Sequence, residues 1–168
     1  MIQLWVNLPK DKKMIEPKYQ LLLKSDMGIL KLDNNQEEIS VISGEVNGVK
    51  GPADTFTDIN IYNVTLNNNG RVLLNEPSNF NTGILVLKGE IKINGENIGK
   101  ESDFILFDNV EGSISVEAIT KDALFIVLSG KTINEPIVSH GPFVMNTIEE
   151  IYEAYEDFKN NKFGSEEF

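Results

Sequence analysis

The stretch from Gly70 to Gly95 limits what this chain can fold into more than any other part of the sequence. It contains three short runs with strand character, Arg71–Leu74, Gly83–Lys88 and Glu90–Ile93, separated by polar or glycine-containing turns. Asn94-Gly95, the dipeptide preferred in two-residue β-hairpin loops, follows the third run. Strands this short and this closely spaced pair with their neighbours, so the stretch predicts the middle of a mainly β domain.

Strand-like segments continue along the rest of the chain at the spacing of about 8–12 residues that is typical of sandwiches and barrels. They are Ile2–Leu8, Gly28–Leu32, Glu38–Val46, Asp58–Leu66, Phe104–Phe107, Ser113–Ala118 and Ala123–Leu128, with a turn predicted at Asp33–Asn35. The alternation of apolar residues slips by one position at Tyr62, which predicts either a β-bulge there or a strand that bends round a barrel. A chain of 168 residues suits one domain. We therefore predict a mainly β fold with a single, jelly-roll-like β-barrel.

The central stretch also carries a recognisable frame of two glycines and three intervening polar positions. In chain order these are Gly70, Glu76, Ser78, Thr82 and Gly89, with five, one, three and six residues between successive members. The spacing resembles the first motif of metal-binding cupins, which has two histidines and a glutamate at the three inner positions. The resemblance implies a cupin-type barrel whose degenerate positions Glu76, Ser78 and Thr82 line its mouth.

The donors that a transition-metal site needs are scarce in this chain. It has no cysteine and a single histidine, His140, whereas zinc, iron and copper sites without thiolates generally use two or three imidazoles. The second cupin motif supplies a further histidine, and Ser113 and Ser115 lie where it would be sought. We therefore predict no metal and no cofactor.

Candidate catalytic residues are equally few. His140 lies in a turn, Ser139–Pro142, and holding that turn by hydrogen bonds is the favoured interpretation of its role. No Gly-x-Ser-x-Gly elbow is present to seat a serine nucleophile. Glu76 could act as a general base at the barrel mouth, but the polar turn around it favours a solvent-exposed carboxylate. We therefore predict no catalytic residue.

The charge balance excludes one class of partner. The formal net charge is −11, which repels a phosphate backbone and predicts that nucleic acid is not a partner. The longest wholly apolar run, Ala123–Leu128, is far shorter than the roughly 20 residues of a transmembrane helix. No basic segment precedes the first apolar residues, and the absence of cysteine fits a reducing compartment. We expect a bacterial, cytoplasmic protein with no membrane partner.

The hydrophobic period changes to that of a helix only near the C-terminus. Thr147 and Glu150 form an S/T-x-x-E capping box, an apolar stripe follows, and Gly164 ends the pattern. We therefore divide the chain into a barrel, residues 1–146, and a helix with an acidic tail, residues 147–168. The aromatic stripe and the single tryptophan are the predicted interface candidates: Trp5, Ile148, Ile151, Tyr152, Tyr155 and Phe158.

Longer segments of the chain closely resemble the C-terminal half of the pirin family, in order and over nearly the whole length. They are Gln3–Pro9, Glu16–Gln20, Gly44–Phe56, Asn134–Thr147 and Glu149–Ile151. Pirins consist of two cupin barrels that face each other, so the resemblance implies one such barrel here, followed by a short helix. In that family the iron site and the quercetinase-type activity reported for some members belong to the N-terminal barrel, so no ligand transfers to a position in this chain.

The leading functional hypothesis is a non-catalytic interaction domain. The resemblance implies that the C-terminal helix and the segment holding Trp5 face a partner barrel. The chain would then complete an assembly, either with a separately encoded pirin N-terminal half or with itself as a homodimer. The alternative is a metal-free cupin barrel that binds a small molecule at Glu76, Ser78 and Thr82, with the ligand unknown. A metal-dependent quercetinase-type dioxygenase is least favoured because of the histidine count.

Overall fold

The structure is a computed structural model and describes residues 2–32 and 37–163. Short 3₁₀ turns lie at Lys10–Lys12 and Lys24–Asp26. The other elements of the described chain are β1 (Gly28–Lys31), β2 (Glu38–Ser43), β3 (Glu45–Val46), β4 (Val49–Lys50), β5 (Ile59–Asn67), β6 (Arg71–Leu74), β7 (Phe80–Lys88), β8 (Glu90–Ile93), β9 (Asn97–Lys100), β10 (Phe104–Leu106), β11 (Ile114–Ala118), β12 (Asp122–Lys131), β13 (Val138–His140), β14 (Phe143–Met145) and α1 (Ile148–Lys159).

The chain divides into two compact units, which are described separately below. We call Lys18–Thr132 the central unit, and it contains β1 to β12. We call Met1–Pro17 with Ile133–Phe168 the terminal unit, and it contains the β13–β14 hairpin and α1. The boundary that the sequence predicts after residue 146 falls inside the terminal unit.

The central unit is built from two antiparallel sheets. One has the strand order β1-β2-β5-β12-β7-β10, the other has the order β6-β11-β8-β9, and β3 and β4 form a separate ribbon. Successive side chains of a strand point to opposite faces, so every second residue of β5 is buried: Tyr62, Val64 and Leu66. Strands of both sheets supply the same buried core, as in a jelly roll. The mainly β, jelly-roll-like fold predicted from the sequence is confirmed, although the sheets of the described residues do not close into a barrel.

The predicted centre of the sequence has the expected local structure. β6 and β8 have the predicted bounds, and β7 begins three residues earlier than predicted, at Phe80. Asn94 and Gly95 have φ angles of 50° and 76°, the left-handed pair that a tight hairpin turn with the twist of its strands requires. The hairpin pairs β8 with β9 as predicted, but its loop has three residues, 94–96, one more than the two-residue loop that the dipeptide favours.

Two local predictions are wrong. The strand predicted at Ile2–Leu8 is absent from described residues 2–9. A strand needs a hydrogen-bonded neighbouring strand, whereas the alternation of a sequence shows only which face of the segment is apolar. The predicted bulge at Tyr62 is not in β5, which pairs with β12 in unbroken register; the irregularity is in the neighbouring strand β2, between Val41 and Ser43. The turn predicted at Asp33–Asn35 and the helix end predicted at Gly164 lie outside the described residues.

The helix of the terminal unit begins at the predicted capping box. Thr147 Oγ1 accepts a hydrogen bond from the Glu150 backbone at 3.3 Å, and Glu150 Oε2 accepts one from the Thr147 backbone at 3.0 Å. Ile151 and Ala154 are buried with Met145 of the hairpin, so α1 packs on β13–β14. The helix ends at Lys159, and Asn160 caps it through its backbone N–H.

Lys10 joins the two ends of the chain within the terminal unit. Its backbone N–H donates to Glu135 Oε2 at 2.8 Å, and its Nζ lies 3.0 Å from Glu150 Oε1. The hydrogen bond from the Asn146 backbone, followed by that from Lys10, holds the pKa of the Glu150 carboxyl below its usual range. One carboxylate therefore caps α1 and also fixes the N-terminal segment.

Two glycines with almost equal φ angles allow a matched test of the packing around the central stretch. Gly89 has φ +77° and Gly95 has φ +76°, but a Cβ on Gly89 would lie 2.5 Å from the Asp122 carbonyl oxygen, whereas a Cβ on Gly95 would meet nothing within 4 Å. We expect Gly95→Ala to lower the free energy of unfolding by about 1–2 kcal/mol, the cost of the left-handed conformation. Gly89→Ala should lose about 1–3 kcal/mol more, because backbone must move. Urea unfolding followed by circular dichroism measures both, and equal losses would contradict the packing described.

Candidate functional site

A cavity of about 360 Å³ in the central unit is lined by all three of the degenerate cupin positions, Glu76, Ser78 and Thr82. The central unit folds so that the turn after β6 and the start of β7 form one wall of this cavity. The other residues that line it are Pro77, Phe80, Asn94, Phe107, Asp108, Asn109, Val110, Glu111, Gly112, Ser113 and Ile114. The structure therefore brings together the three positions that the sequence frame singled out.

Glu76, in the turn between β6 and β7, is held in place by two donors from the six-stranded sheet. Its Oε1 accepts a hydrogen bond from the Tyr62 hydroxyl at 2.6 Å, and its Oε2 accepts one from Asn60 Nδ2 at 2.8 Å. Both donors belong to β5, and Glu76 itself is half-buried. The sequence favoured a solvent-exposed carboxylate at Glu76. That prediction is wrong, because the polar turn faces a buried tyrosine.

Tyr62 is the residue of this site that sequence reasoning missed. Its side chain is 0% exposed, and burial first, then the negative charge of Glu76, raise the pKa of its phenol far above the ordinary value. The phenol consequently stays protonated and acts as a donor. A signal was available, since a buried tyrosine hydroxyl usually finds a hydrogen-bond partner, but the sequence does not say which one.

Thr82 makes its hydrogen bond to a neighbouring strand. Thr82 Oγ1 and Ser129 Oγ are 2.8 Å apart in directly opposite positions of β7 and β12, and both residues are buried. Ser78 is half-buried in the turn between β6 and β7. The three cupin positions thus present one carboxylate and two hydroxyl groups. The hydroxyl of Thr82 already forms a hydrogen bond with Ser129.

This donor set does not fit the metal of a cupin site. Transition metals prefer imidazole or thiolate, and a carboxylate with two hydroxyls supplies neither. Ser113, at one of the two positions where a histidine was sought, donates its hydroxyl to Asn75 Oδ1 at 2.6 Å. Over residues 2–32 and 37–163, no group of three or more histidine, cysteine or acidic side chains could hold a metal ion.

His140 has a packing role in the terminal unit. It is the last residue of β13, and its ring meets the Tyr155 ring edge-on with centroids 5.8 Å apart. No hydrogen bond from its imidazole is found among the described residues, so aromatic contact replaces the hydrogen-bonded turn that the sequence favoured.

The terminal unit has an apolar groove of its own, also of about 360 Å³. Trp5 and Phe163, which are 77% and 53% exposed, both line it. The other residues that line this terminal groove are Val6, Asn7, Leu8, Lys13, Met14, Pro142, Phe143, Val144 and Met145. Sequence reasoning singled out Trp5 alone, because residues from the two ends of the chain share no local pattern.

The predicted interface candidates on the helix fall into two groups. Ile151 is buried and Tyr155 is half-buried against Phe143, with ring centroids 5.0 Å apart, so both belong to the core of the terminal unit. Ile148, Tyr152 and Phe158 are exposed. A role of these residues in an interface stays a prediction.

No helix among the described residues is both long enough and apolar enough to cross a membrane.

Comparison with known proteins identifies the family. The family model for the pirin C-terminal cupin domain matches residues 61–164 of this chain. This chain belongs to the pirin family. A crystal structure of quercetin 2,3-dioxygenase from Acinetobacter baumannii superposes with a TM-score of 0.90 at 38% identity, over 96% of this chain and 56% of that one.

Two curated relatives agree with this assignment. A protein of Pseudomonas aeruginosa, provisionally named quercetin 2,3-dioxygenase, is 37% identical over 163 residues, which is 97% of this chain and 56% of the relative. Human pirin is 33% identical over 168 residues, covering 98% of this chain and 57% of its own length. This pirin chain therefore spans about half the length of the curated relatives it matches.

The hydrogen bond between Tyr62 and Glu76 should be visible in the pH dependence of stability. Below about pH 10 the phenol of Tyr62 is protonated in both the folded and the unfolded chain. Above about pH 10 only the unfolded chain releases the proton. The free energy of unfolding should then fall by about 1.4 kcal/mol per pH unit through this group. Tyr62→Phe removes that contribution, so its stability should fall less steeply between about pH 9.5 and 11 than that of the wild type.

Urea unfolding at a series of pH values measures both slopes. Tyr19→Phe makes the same chemical change at an exposed ring and serves as the matched control. Parallel profiles for wild type and Tyr62→Phe would show that the buried phenol is not held as described.

The mismatch between the donor set and a transition metal predicts the metal content of the purified protein. After dialysis against a mild chelator, we expect no stoichiometric iron, copper, zinc or nickel, since the donors at the cupin positions are of the wrong type. Elemental analysis by mass spectrometry measures this. Retention of any one of these metals at one ion per chain would contradict the prediction.

Proposed function

We propose that this pirin domain is a non-catalytic assembly half, whose terminal groove docks a second cupin domain of the N-terminal pirin type. The observation that carries the proposal is the terminal groove itself. Trp5, Met14 and Phe163 expose more than half of their surface there. Large side chains of this kind gain roughly 1.5–3 kcal/mol each when they are buried, and a contiguous apolar patch usually marks an interface.

The composition of the terminal groove supports a protein partner. Tryptophan is among the residues that most often dominate binding energy, and Trp5 is 77% exposed. Lys13 is the one charged residue among the described residues that line the groove. Burial lowers the pKa of the Lys13 ammonium. An interface that is apolar at its centre, with few charges, is typical of stable rather than transient association.

The length of the relatives supports this choice of partner. The matched family domain is named as a C-terminal one, and the matched relatives are almost twice as long as this chain. Those proteins therefore carry additional sequence that includes the portion N-terminal to the match. We infer that this portion occupies the terminal groove, whether it is on the same polypeptide or on another.

The enzyme name of two relatives is compatible with a non-catalytic role here. The name belongs to whole proteins, of which this chain matches 56%. The cupin positions of this chain offer one carboxylate, which Tyr62 and Asn60 already bind. We propose that any metal-dependent chemistry belongs to the partner domain, and that this domain works in the cytoplasm without nucleic acid or a membrane as partner.

A second candidate function rests on the cavity of the central unit. Its volume of about 360 Å³ lies within the range of small-molecule sites, and a fixed carboxylate is among the residues that line it. This would make the domain a metal-free ligand-binding cupin, a function that is independent of docking at the terminal groove.

The docking proposal is tested by titrating the chain with the separately produced N-terminal half of the Pseudomonas relative. Light scattering should detect a one-to-one complex, and calorimetry should give its affinity. Trp5→Glu places a charge at the most exposed aromatic ring of the groove and should weaken binding at least about tenfold. Tyr19→Glu is the matched control, because Tyr19 is also an exposed aromatic residue but belongs to the central unit.

Three results would overturn the proposal. One is the absence of a complex with an N-terminal half that circular dichroism shows to be folded. Another is equal weakening by Trp5→Glu and Tyr19→Glu. The third is a homodimer of this chain that Trp5→Glu dissociates, which would make a second copy the occupant of the groove.

A further inference from the structure

The cavity of the central unit has a one-sided charge. Three acidic residues line it, Glu76, Asp108 and Glu111, and no lysine, arginine or histidine is among the described residues that do so. None of the ion pairs found between described residues involves these three carboxylates. A cavity of this kind attracts cations and repels anions.

Glu76 differs from the other two acidic residues of the cavity, because hydrogen bonds hold its carboxylate in place. Each of its oxygens accepts one hydrogen bond from a neutral donor, Tyr62 or Asn60, and keeps a further acceptor site. The donors orient the carboxylate without neutralising it. Since Tyr62 is fully buried and stays protonated, this support is permanent at physiological pH.

The rest of the cavity wall is suited to an apolar body. Phe80 and Phe107 are half-buried and line the cavity with Pro77 and Ile114. Aromatic rings of this kind contact hydrocarbon well and also attract a cation placed over their faces. A hydrated metal ion would gain nothing from such a wall, and Ca²⁺ prefers about 6–8 oxygen ligands.

We propose that this cavity binds a small organic cation, a protonated primary amine carried on an apolar or aromatic body, with its ammonium group at Glu76. The inference rests on the second candidate function above and names the class of its ligand. The ammonium donates charge-assisted hydrogen bonds to the free acceptor sites of Glu76. Its hydrocarbon part lies against Phe80 and Phe107.

The experiment uses three probes of one size and shape that differ in charge: 2-phenylethylamine, 2-phenylethanol and phenylacetate. Each is titrated into the ¹⁵N-labelled full chain at pH 7, and amide shifts are followed by NMR. The amine should shift the resonances of residues 108–114, which form one wall of the cavity, and it should bind at least about tenfold more tightly than the alcohol. Phenylacetate should leave these resonances unchanged.

Two variants with the same change in charge locate the ammonium group. Glu76→Gln should weaken amine binding about tenfold while its spectrum stays dispersed, because a hydrogen bond to a charged group is replaced by one to a neutral group. Glu101→Gln is the matched control, since Glu101 is exposed and does not line the cavity. If Glu76→Gln alters the fold, Asp108→Asn replaces it, because Asp108 is exposed and lines the same cavity.

The possible failures are distinguishable. Equal affinity for the amine and the alcohol would overturn the cation assignment but leave a ligand-binding cavity. An amine preference that a folded Glu76→Gln variant keeps unchanged would overturn the placement of the ammonium group. If no probe shifts the cavity resonances, both this inference and the second candidate function are wrong, while docking at the terminal groove is unaffected.

Discussion

A phenol buried in the middle of a β-sheet core needs a hydrogen-bond acceptor, and in this chain Glu76 meets that need. Tyr62 belongs to the six-stranded sheet, whereas Glu76 follows β6 of the four-stranded sheet. Their hydrogen bond therefore ties the turn between β6 and β7 to the six-stranded sheet at the edge of the cavity. Without the carboxylate, the phenol would lose its partner, at a cost of about 1–3 kcal/mol for a buried polar group. The position that is a metal ligand in other cupins is a structural acceptor here.

The same interaction explains why the site was only partly predictable from the sequence. The glycine frame singled out Glu76, Ser78 and Thr82, which line one cavity because their spacing is set by two strands and one turn. The partners of these residues were not predictable, since Tyr62 lies on β5, 14 residues from Glu76, and Ser129 lies 47 residues from Thr82. Contacts between distant strands depend on sheet order, and alternation along one strand does not contain that information.

A comparable division separates the local from the non-local features of the fold. The turn at Asn94-Gly95 and the capping box at Thr147 were predicted because each depends on residues within one turn of chain. The predicted strand at Ile2–Leu8 failed because it needed a neighbour that the structure does not supply. The bulge was assigned to the wrong strand for the same reason. An extra residue in either β2 or β5 would shift the pairing of these two strands. Only the observed register shows that β2 carries it.

The contact of Lys10 with Glu135 joins residues 125 positions apart. A ribosome releases the first of them long before the second has been made. The N-terminal segment, including Trp5, must therefore wait through the synthesis of the whole intervening sequence before the residues that fix it exist. Closing so long a loop is entropically unfavourable, so the contact forms late in folding. An apolar segment that stays exposed during that interval is prone to aggregation.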